Sequence, residues 1–254
     1  MQFVDPSMHR EMFGWDSPRL GMYMPIARYG NWGKPILLYP TAQADLLDCE
    51  RFFLIKSIEP LIMAGKITVF SINSINEHAW MNDDVPVPEQ ARRANLFSKY
   101  VEEEVVPHIR RCVNDDGARI CVTGASFGAF HAANQFFRRP DLFDGLIAMS
   151  GFFDLVPGYS HGYMDENLYF NNPMSFVPNL HDHDILETIR HECQVHIVTG
   201  QGDYEKPEAS KRFSTALWNK GIWNNLDLWG HDMRHDWPTW RAMLPYYLSE
   251  KMGY

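Results

Sequence analysis

The chain has 254 residues and no apolar run of the 18 or more that a membrane-spanning helix requires. It begins Met1-Gln2-Phe3-Val4-Asp5-Pro6, with no basic stretch leading into an apolar one, so no secretory leader is read there. Positive charge is scarce: 23 Lys and Arg stand against 32 Asp and Glu, a net charge of −9 with His neutral. The basic pairs Arg92–Arg93, Arg110–Arg111 and Arg138–Arg139 are isolated among acids. That distribution lacks the clustered cationic face that binds phosphates, so neither nucleic acid nor a membrane is expected as a partner. Cysteine is scarce too, with four residues (Cys49, Cys112, Cys121, Cys193) and no C-x-x-C spacing. A chain of this length builds a core without disulfides, and Cys121 sits in an apolar run where a buried free thiol is expected. A reducing compartment, the cytoplasm, is the expectation. No repeat, low-complexity tract or flexible linker appears, which points to a single domain over 1–254.

What is present is an alternation of apolar, β-branched runs with segments of helical period. Pro35–Tyr39 reads as a buried strand ended by Pro40, and Glu50–Gly65 as a helix stopped by its glycine. Lys66–Ile72 reads as a strand. Pro88 to about Val113 reads as a long helix, with Ala94, Phe97, Val101, Val105 and Ile109 on one face and a kink expected at Pro107. Strands follow at Arg119–Thr123, Leu146–Met149, Cys193–Thr199 and Ile222–Trp229. Helices follow at Ala129–Arg138, Pro207–Lys220 and Trp237–Lys251. Strands separated by helices of ten or more residues imply crossover connections, hence an α/β fold with a mainly parallel central sheet and helices on both faces. Residues 151–184 break the rhythm with Phe152, Phe153, Tyr159, Tyr163, Tyr169, Phe170 and Phe176 among Asn, His and Pro. They read as a long excursion over one end of the sheet, above the active site, and loops of that length are often functional.

Gly124-Ala125-Ser126-Phe127-Gly128 fits G-x-S-x-G in the setting where that pattern has a mechanism, after a strand and before a helix. A tight turn there lifts the serine Oγ above the sheet, and the positions two before and two after must be small. A serine hydroxyl needs a neighbouring base, and on this fold an acid and then a histidine follow in chain order on later strand ends. The loop after 193–199 carries Asp203 and Glu205; the loop after 222–229 carries His231 and His235. His235, just before Asp236-Trp237-Pro238 and the start of the last helix, is the favoured base over His231. Asp203 is the favoured acid, with Glu205 and Asp154 as alternatives. Negative charge developing on a carbonyl oxygen needs donors: the N–H of Phe127, and one from the loop after 35–39, assigned to Ala42 to within one residue. Trp80, with His78 and the aromatics of 151–184, is a candidate lining for an acyl pocket, and Phe127 beside the serine is another.

The chain resembles the Putative esterase family of α/β-hydrolases, which includes esterase D, feruloyl esterase domains and mycolyltransferases. The resemblance rests on Leu38-Tyr39-Pro40-Thr41, Ser71-Ile72-Asn73-Ser74-Ile75-Asn76, the Ser126 motif, Tyr169-Phe170-Asn171-Asn172-Pro173, Gly200-Gln201-Gly202-Asp203 and His235-Asp236-Trp237-Pro238-Thr239-Trp240. It implies an α/β-hydrolase fold, His235 as base through an H-x-W motif, an acid at Asp203, and hydrolysis of esters or thioesters without metal or organic cofactor. Pro40-Thr41 replaces the His-Gly of many members, so a different oxyanion loop is expected.

The expected activity is that of a serine esterase working through an acyl-enzyme on Ser126, with a small-molecule ester as partner. Acyl transfer, thioester hydrolysis and a non-catalytic binding protein on the same fold are the alternatives, and assembly of identical chains stays open. The run His181-Asp182-His183-Asp184 carries metal-ligand residue types, but it precedes a helical pattern, so Asp182 or Asp184 is expected as an N-cap and no metal is expected.

Overall fold

The computed structural model describes residues 3–254. Strands β1 (Arg10–Ser17) and β2 (Met22–Tyr29) form an antiparallel hairpin. Strands β3 (Lys34–Tyr39), β4 (Ile67–Ile72), β5 (Ile120–Ala125), β6 (Phe143–Met149), β7 (Gln194–Thr199) and β8 (Asn225–Leu228) all run parallel to one another. The eight make one sheet in the order β1-β2-β4-β3-β5-β6-β7-β8, with β2 antiparallel to β4. The order turns back at β3 and β4 and then runs outward from β5. Ligands sit outside the carboxyl ends of such strands. This is an α/β-hydrolase fold. The hairpin over residues 10–29 is an addition to the elements that periodicity marks.

Both faces of the parallel strands are covered, which is why these strands read as continuous apolar runs. Period two sorts them. Ile36, Leu38, Val69, Ile147 and Val198 join one core, and Leu37, Phe70, Val122, Leu146 and Ile197 the other. The first core is closed by α2 (Leu54–Met63) and α10 (Trp237–Tyr246) through Ile55, Ile58, Met243 and Leu244. The second is closed by α3 (Val87–Tyr100), α4 (Val106–Val113), α5 (Phe127–Arg138) and α9 (Pro207–Asn219), through residues such as Phe97, Ile109, Phe136 and Phe213.

Three helices depart from their expected extents. The segment expected as a helix over 50–65 is split into α1 (Asp48–Arg51) and α2 by Phe53, which is left-handed at φ 62°. The segment Pro88–Val113 lies in one continuous helical run, but its irregularity is a widened turn. A π-turn over Val101–Val105 joins α3 to α4, and Pro107, which has no N–H to donate, comes two residues after it. The last helix becomes a π-turn over Tyr247–Lys251 after Pro245. The excursion 151–184 holds only α6 (Glu166–Tyr169), α7 (Pro173–Phe176) and a 3-10 turn, and α8 (His183–Glu192) follows. Asp182 caps α8, accepting from the Ile185 N–H at 3.0 Å, so the His181–Asp184 run is a helix start. No helix among the described residues is long and apolar enough to cross a membrane.

Candidate active site

Ser126 follows β5 and precedes α5 with φ 56° and ψ −119°, a conformation costly to a residue with a side chain. The two glycines make it attainable. A Cβ on Gly124 would lie 2.5 Å from the Gly128 carbonyl carbon, and one on Gly128 would lie 2.6 Å from the carbonyl oxygen of Tyr39 and 2.7 Å from that of Pro40. The serine turn, the helix start and the loop leaving β3 are therefore in backbone contact. Phe127 is the first residue of α5, so its N–H has no partner within the helix. Its backbone suits the expected role, but its side chain does not line a substrate pocket. At 2% exposed it stands behind Phe152 and Tyr159, touching both edge-on at ring separations of 4.9 and 5.3 Å.

Ser126 and His235 line one cavity of about 350 Å³, together with Ser150, Phe152, Tyr159, Tyr204 and Lys206. No direct hydrogen bond joins Ser126 to His235 among the described residues. The imidazole is fixed from behind by the edge of Trp240, at 5.2 Å and 86°, and the residue by its backbone N–H, which donates to the Asp203 carbonyl at 2.9 Å. The turn that carries it ends at Asp236, which caps α10 through the Trp237 N–H.

The expectation that Asp203 meets the histidine is corrected. Its carboxylate is 65% exposed and pairs with Arg234 at 3.2 Å. Glu205 lies against His235 instead, with Oε2 3.3 Å from Nδ1 and a side chain only 1% exposed. The Glu205 carboxylate is surrounded by donors. Oε1 accepts from the Ser150 hydroxyl at 2.5 Å and from the Gly200 N–H at 3.3 Å, and Oε2 lies 3.0 Å from the Thr199 hydroxyl. Burial pushes its pKa up, but hydrogen bonds from His235 and Ser150, with help from Thr199 and the nearby imidazole, outweigh that and hold the pKa below the usual carboxylate value. Facing this acceptor, Nδ1 of His235 carries the ring proton and Nε2 is left with its lone pair.

The loop shapes explain the exchange of acids. A Cβ on Gly200 or Gly202 would lie 2.2 or 2.7 Å from the Met233 carbonyl oxygen, so the two loops lie backbone to backbone. Tyr204 then turns at φ 65°, and Glu205 reaches back under the histidine. Asp154 and His231 are engaged away from the serine. Asp154 accepts from the Val156 N–H and the Asn172 amide, and His231 is exposed beside the Gln201 carbonyl. Ser150, which no motif marks, has φ 50° at the end of β6 and also accepts from the Trp240 indole N–H at 3.0 Å. Its one trace in the sequence is a serine followed by glycine at a strand end.

Ala42 lies in the loop after β3, where the Thr41 carbonyl accepts from the Ala44 N–H at 2.9 Å. Trp80 lines a second cavity of about 750 Å³, with Met81, Val87, Gln90 and Tyr159, and Tyr159 is a wall common to both cavities.

Comparison with known proteins agrees with this fold. Residues 63–250 match the family described as Putative esterase. No curated protein sequence matches the chain. Among solved structures, a ferulic acid esterase superposes with a TM-score of 0.72 at 18% identity, covering 95% of this chain and 96% of that one. The S-formylglutathione hydrolase FrmB from Staphylococcus aureus gives 0.69 at 14% identity, covering 97% and 98%. MPT51 from Mycobacterium tuberculosis gives 0.65 at 14%, covering 96% and 98%. At these identities the superpositions speak for the fold alone, whereas the family match spans most of the chain: it belongs to the Putative esterase family and is an esterase, a carboxylic ester hydrolase.

Proposed function

We propose that Ser126, His235 and Glu205 act as nucleophile, base and orienting acid, and that the ester is cleaved through an acyl-enzyme. His235 Nε2 takes the Ser126 proton as Oγ attacks the ester carbonyl carbon, forming the C–O bond of a tetrahedral intermediate. The N–H groups of Phe127 and Ala42 carry the oxyanion charge. Collapse breaks the bond to the alcohol, which leaves with the proton from His235. Water then repeats the sequence and releases the acid. The observation that best supports this reading is the buried Glu205 carboxylate, ringed by donors and in contact with His235, which among the described residues is the one histidine that shares a cavity with Ser126. Glu205 holds the tautomer that leaves Nε2 basic and stabilises the imidazolium once formed.

The partner is a small-molecule ester. Phe152 and Tyr159 give the catalytic cavity an aromatic wall, and its size suits a short acyl group. The larger cavity beside Trp80 suits the other portion of the ester. The four free cysteines, two of them buried, fit a cytoplasmic setting. Turnover of 4-nitrophenyl acetate and labelling by a fluorophosphonate test the reading. Both are expected to vanish in Ser126→Ala, and a variant that keeps the wild-type rate would overturn it.

A further inference from the structure

Two buried polar side chains outside this chemistry link the loop after β3 to the helix that follows the serine. Asn76, 1% exposed in the loop after β4, donates from Nδ2 to the Ala42 carbonyl oxygen at 2.6 Å. Its Oδ1 lies 2.8 Å from Nε2 of His131, which is 6% exposed on α5. The His131 ring stacks on Phe127 at 5.2 Å and 29°. One continuous chain of contacts therefore runs from Ala42 to Phe127, the two residues whose N–H groups the proposed mechanism uses.

The polarity of this chain admits one arrangement. A flipped Asn76 amide would set its oxygen against the Ala42 carbonyl oxygen, so Nδ2 must face Ala42 and Oδ1 must face His131. His131 must then carry its proton on Nε2. Burial pushes its pKa down to about 3, so the ring stays neutral and keeps that tautomer at neutral pH.

Holding the Ala42 carbonyl has a consequence for the donors. In a trans peptide the C=O and N–H point in opposite directions, so fixing one fixes the other. The Asn76 bond sets the plane of the 42–43 peptide, and the Thr41–Ala44 turn bond sets the plane of the 41–42 peptide. Among the described residues no protein group accepts from the N–H of Ala42 or Gln43. The loop is also tied at Leu46, by Ser71 and Asn73, but those bonds fall farther along the chain from the donors.

We propose that Asn76 is a positioning residue that, by holding the 42–43 peptide, aims the N–H of Gln43, which joins that of Ala42 as a loop donor to the oxyanion, and that His131 locks the Asn76 amide in the orientation that does so. This rests on the reading of Ser126 as nucleophile with loop donors at 42–43. A donor aimed at the developing oxyanion matters more in the transition state than in the ground state, so its misplacement lowers kcat and leaves KM nearly unchanged.

The test measures kcat and KM for 4-nitrophenyl acetate, inhibition by an alkyl boronic acid that forms a tetrahedral adduct on serine, and melting temperature. Asn76→Ala and Asn76→Asp are each expected to lower kcat by about 10- to 100-fold, less than the about 10²- to 10³-fold for outright loss of an oxyanion donor because the donor is misaimed and not removed, with KM within about 3-fold. The boronic acid Ki is expected to rise in step. His131→Gln places an amide N–H where Nε2 stands and is expected to keep at least a third of kcat, whereas His131→Leu falls with the Asn76 variants. Should the Asn76 variants not fold, the His131 pair decides by itself. The proposal is overturned if Asn76→Ala keeps kcat within about 3-fold, if KM rises as much as kcat falls, or if Gln and Leu at 131 behave alike. Loss of activity in Ser126→Ala alongside full activity in Asn76→Ala sinks the positioning role alone, and full activity in Ser126→Ala sinks the reading beneath it.

Discussion

Replacing Glu205 by glutamine and, separately, Asp203 by asparagine distinguishes the two carboxylates sharply. Glu205 Oε2 lies 3.3 Å from His235 Nδ1, and the imidazole is mostly covered. Between unit charges at that separation the attraction is 332/(20 × 3.3), or about 5 kcal/mol with an effective dielectric constant of 20, present only once the imidazolium forms. Glutamine removes it. Its amide also has no good orientation. With NH2 toward His235 the ring must move its proton to Nε2, which abolishes the base. With NH2 toward Gly200 the Gly200 N–H loses its acceptor, at about 1–3 kcal/mol. Loss of the corresponding carboxylate in serine proteases costs about 10⁴-fold. Glu205→Gln is therefore expected to lower kcat for 4-nitrophenyl acetate by about 10²- to 10⁴-fold with KM little changed. Asp203 holds the histidine only through its main-chain carbonyl, which asparagine keeps, and its carboxylate faces solvent and Arg234. Asp203→Asn is expected to stay within about 3-fold, since exposed pairs are worth little. A fall of more than 100-fold in Asp203→Asn, or near-wild-type turnover in Glu205→Gln, would refute the assignment.

Two further outcomes follow from the geometry. Gly128→Ala puts a Cβ 2.6 Å from the Tyr39 carbonyl oxygen, a backbone atom that cannot swing aside, so a loss of about 1–3 kcal/mol in urea-monitored stability is expected along with weaker turnover. Acid destabilises the protein through two buried imidazoles, whose pKa values burial pushes down to about 3 at His131 and about 4 at His196. Unfolded, each returns to about 6.5 and takes up a proton that the folded chain does not, so stability falls as pH drops below about 6.5, by about 2 kcal/mol per histidine between pH 7 and pH 5. The depressed pKa of Glu205 acts in a different window, since its stabilisation is lost only as pH falls below about 4.3 toward the folded value. Urea midpoints that stay level from pH 7 to pH 5 would contradict the neutral, buried state of both rings.

The parts of the site legible in the sequence are those set by local sterics. Gly124 and Gly128 are written as glycine because a Cβ at either would strike backbone, and a short pattern records that directly. His235 was legible because Asp236 and Pro238 mark a helix start, which the capped α10 bears out. The choice between Asp203 and Glu205 was not legible. It depends on the left-handed turn at Tyr204 and on the stacking of two loops whose glycines meet Met233, and neither leaves a mark in residue type. The hairpin at 10–29 is not marked by periodicity because Gly14 interrupts β1, Pro25 interrupts β2, and Met and Arg recur in both, and its register is enforced by pairing with β4 instead of by its own alternation. The π-turn before Pro107 was foreseen only as a kink, since periodicity counts residues per turn and does not see one widened turn.

The strain in the site has a pattern. Two neighbouring parallel strands, β5 and β6, are each followed directly by a serine at positive φ, Ser126 at 56° and Ser150 at 50°. Each departure costs on the order of 1–3 kcal/mol and persists only where the surroundings over-determine it. At Ser126 the surroundings are the glycine contacts with β3 and α5 and the bond from its N–H to the Met149 carbonyl. At Ser150 they are the bond from its N–H to the Val198 carbonyl at 2.7 Å, the Trp240 indole and the Glu205 carboxylate. The second serine thus meets the acid and the tryptophan that braces the base, while the first presents its hydroxyl to the same cavity. Adjacent strands transmit this order directly, because the Met149 carbonyl that receives the Ser126 N–H belongs to the residue just before Ser150. A single peptide unit, Met149–Ser150, therefore connects the backbone bond of Ser126 with the serine that accepts from Trp240 and donates to Glu205.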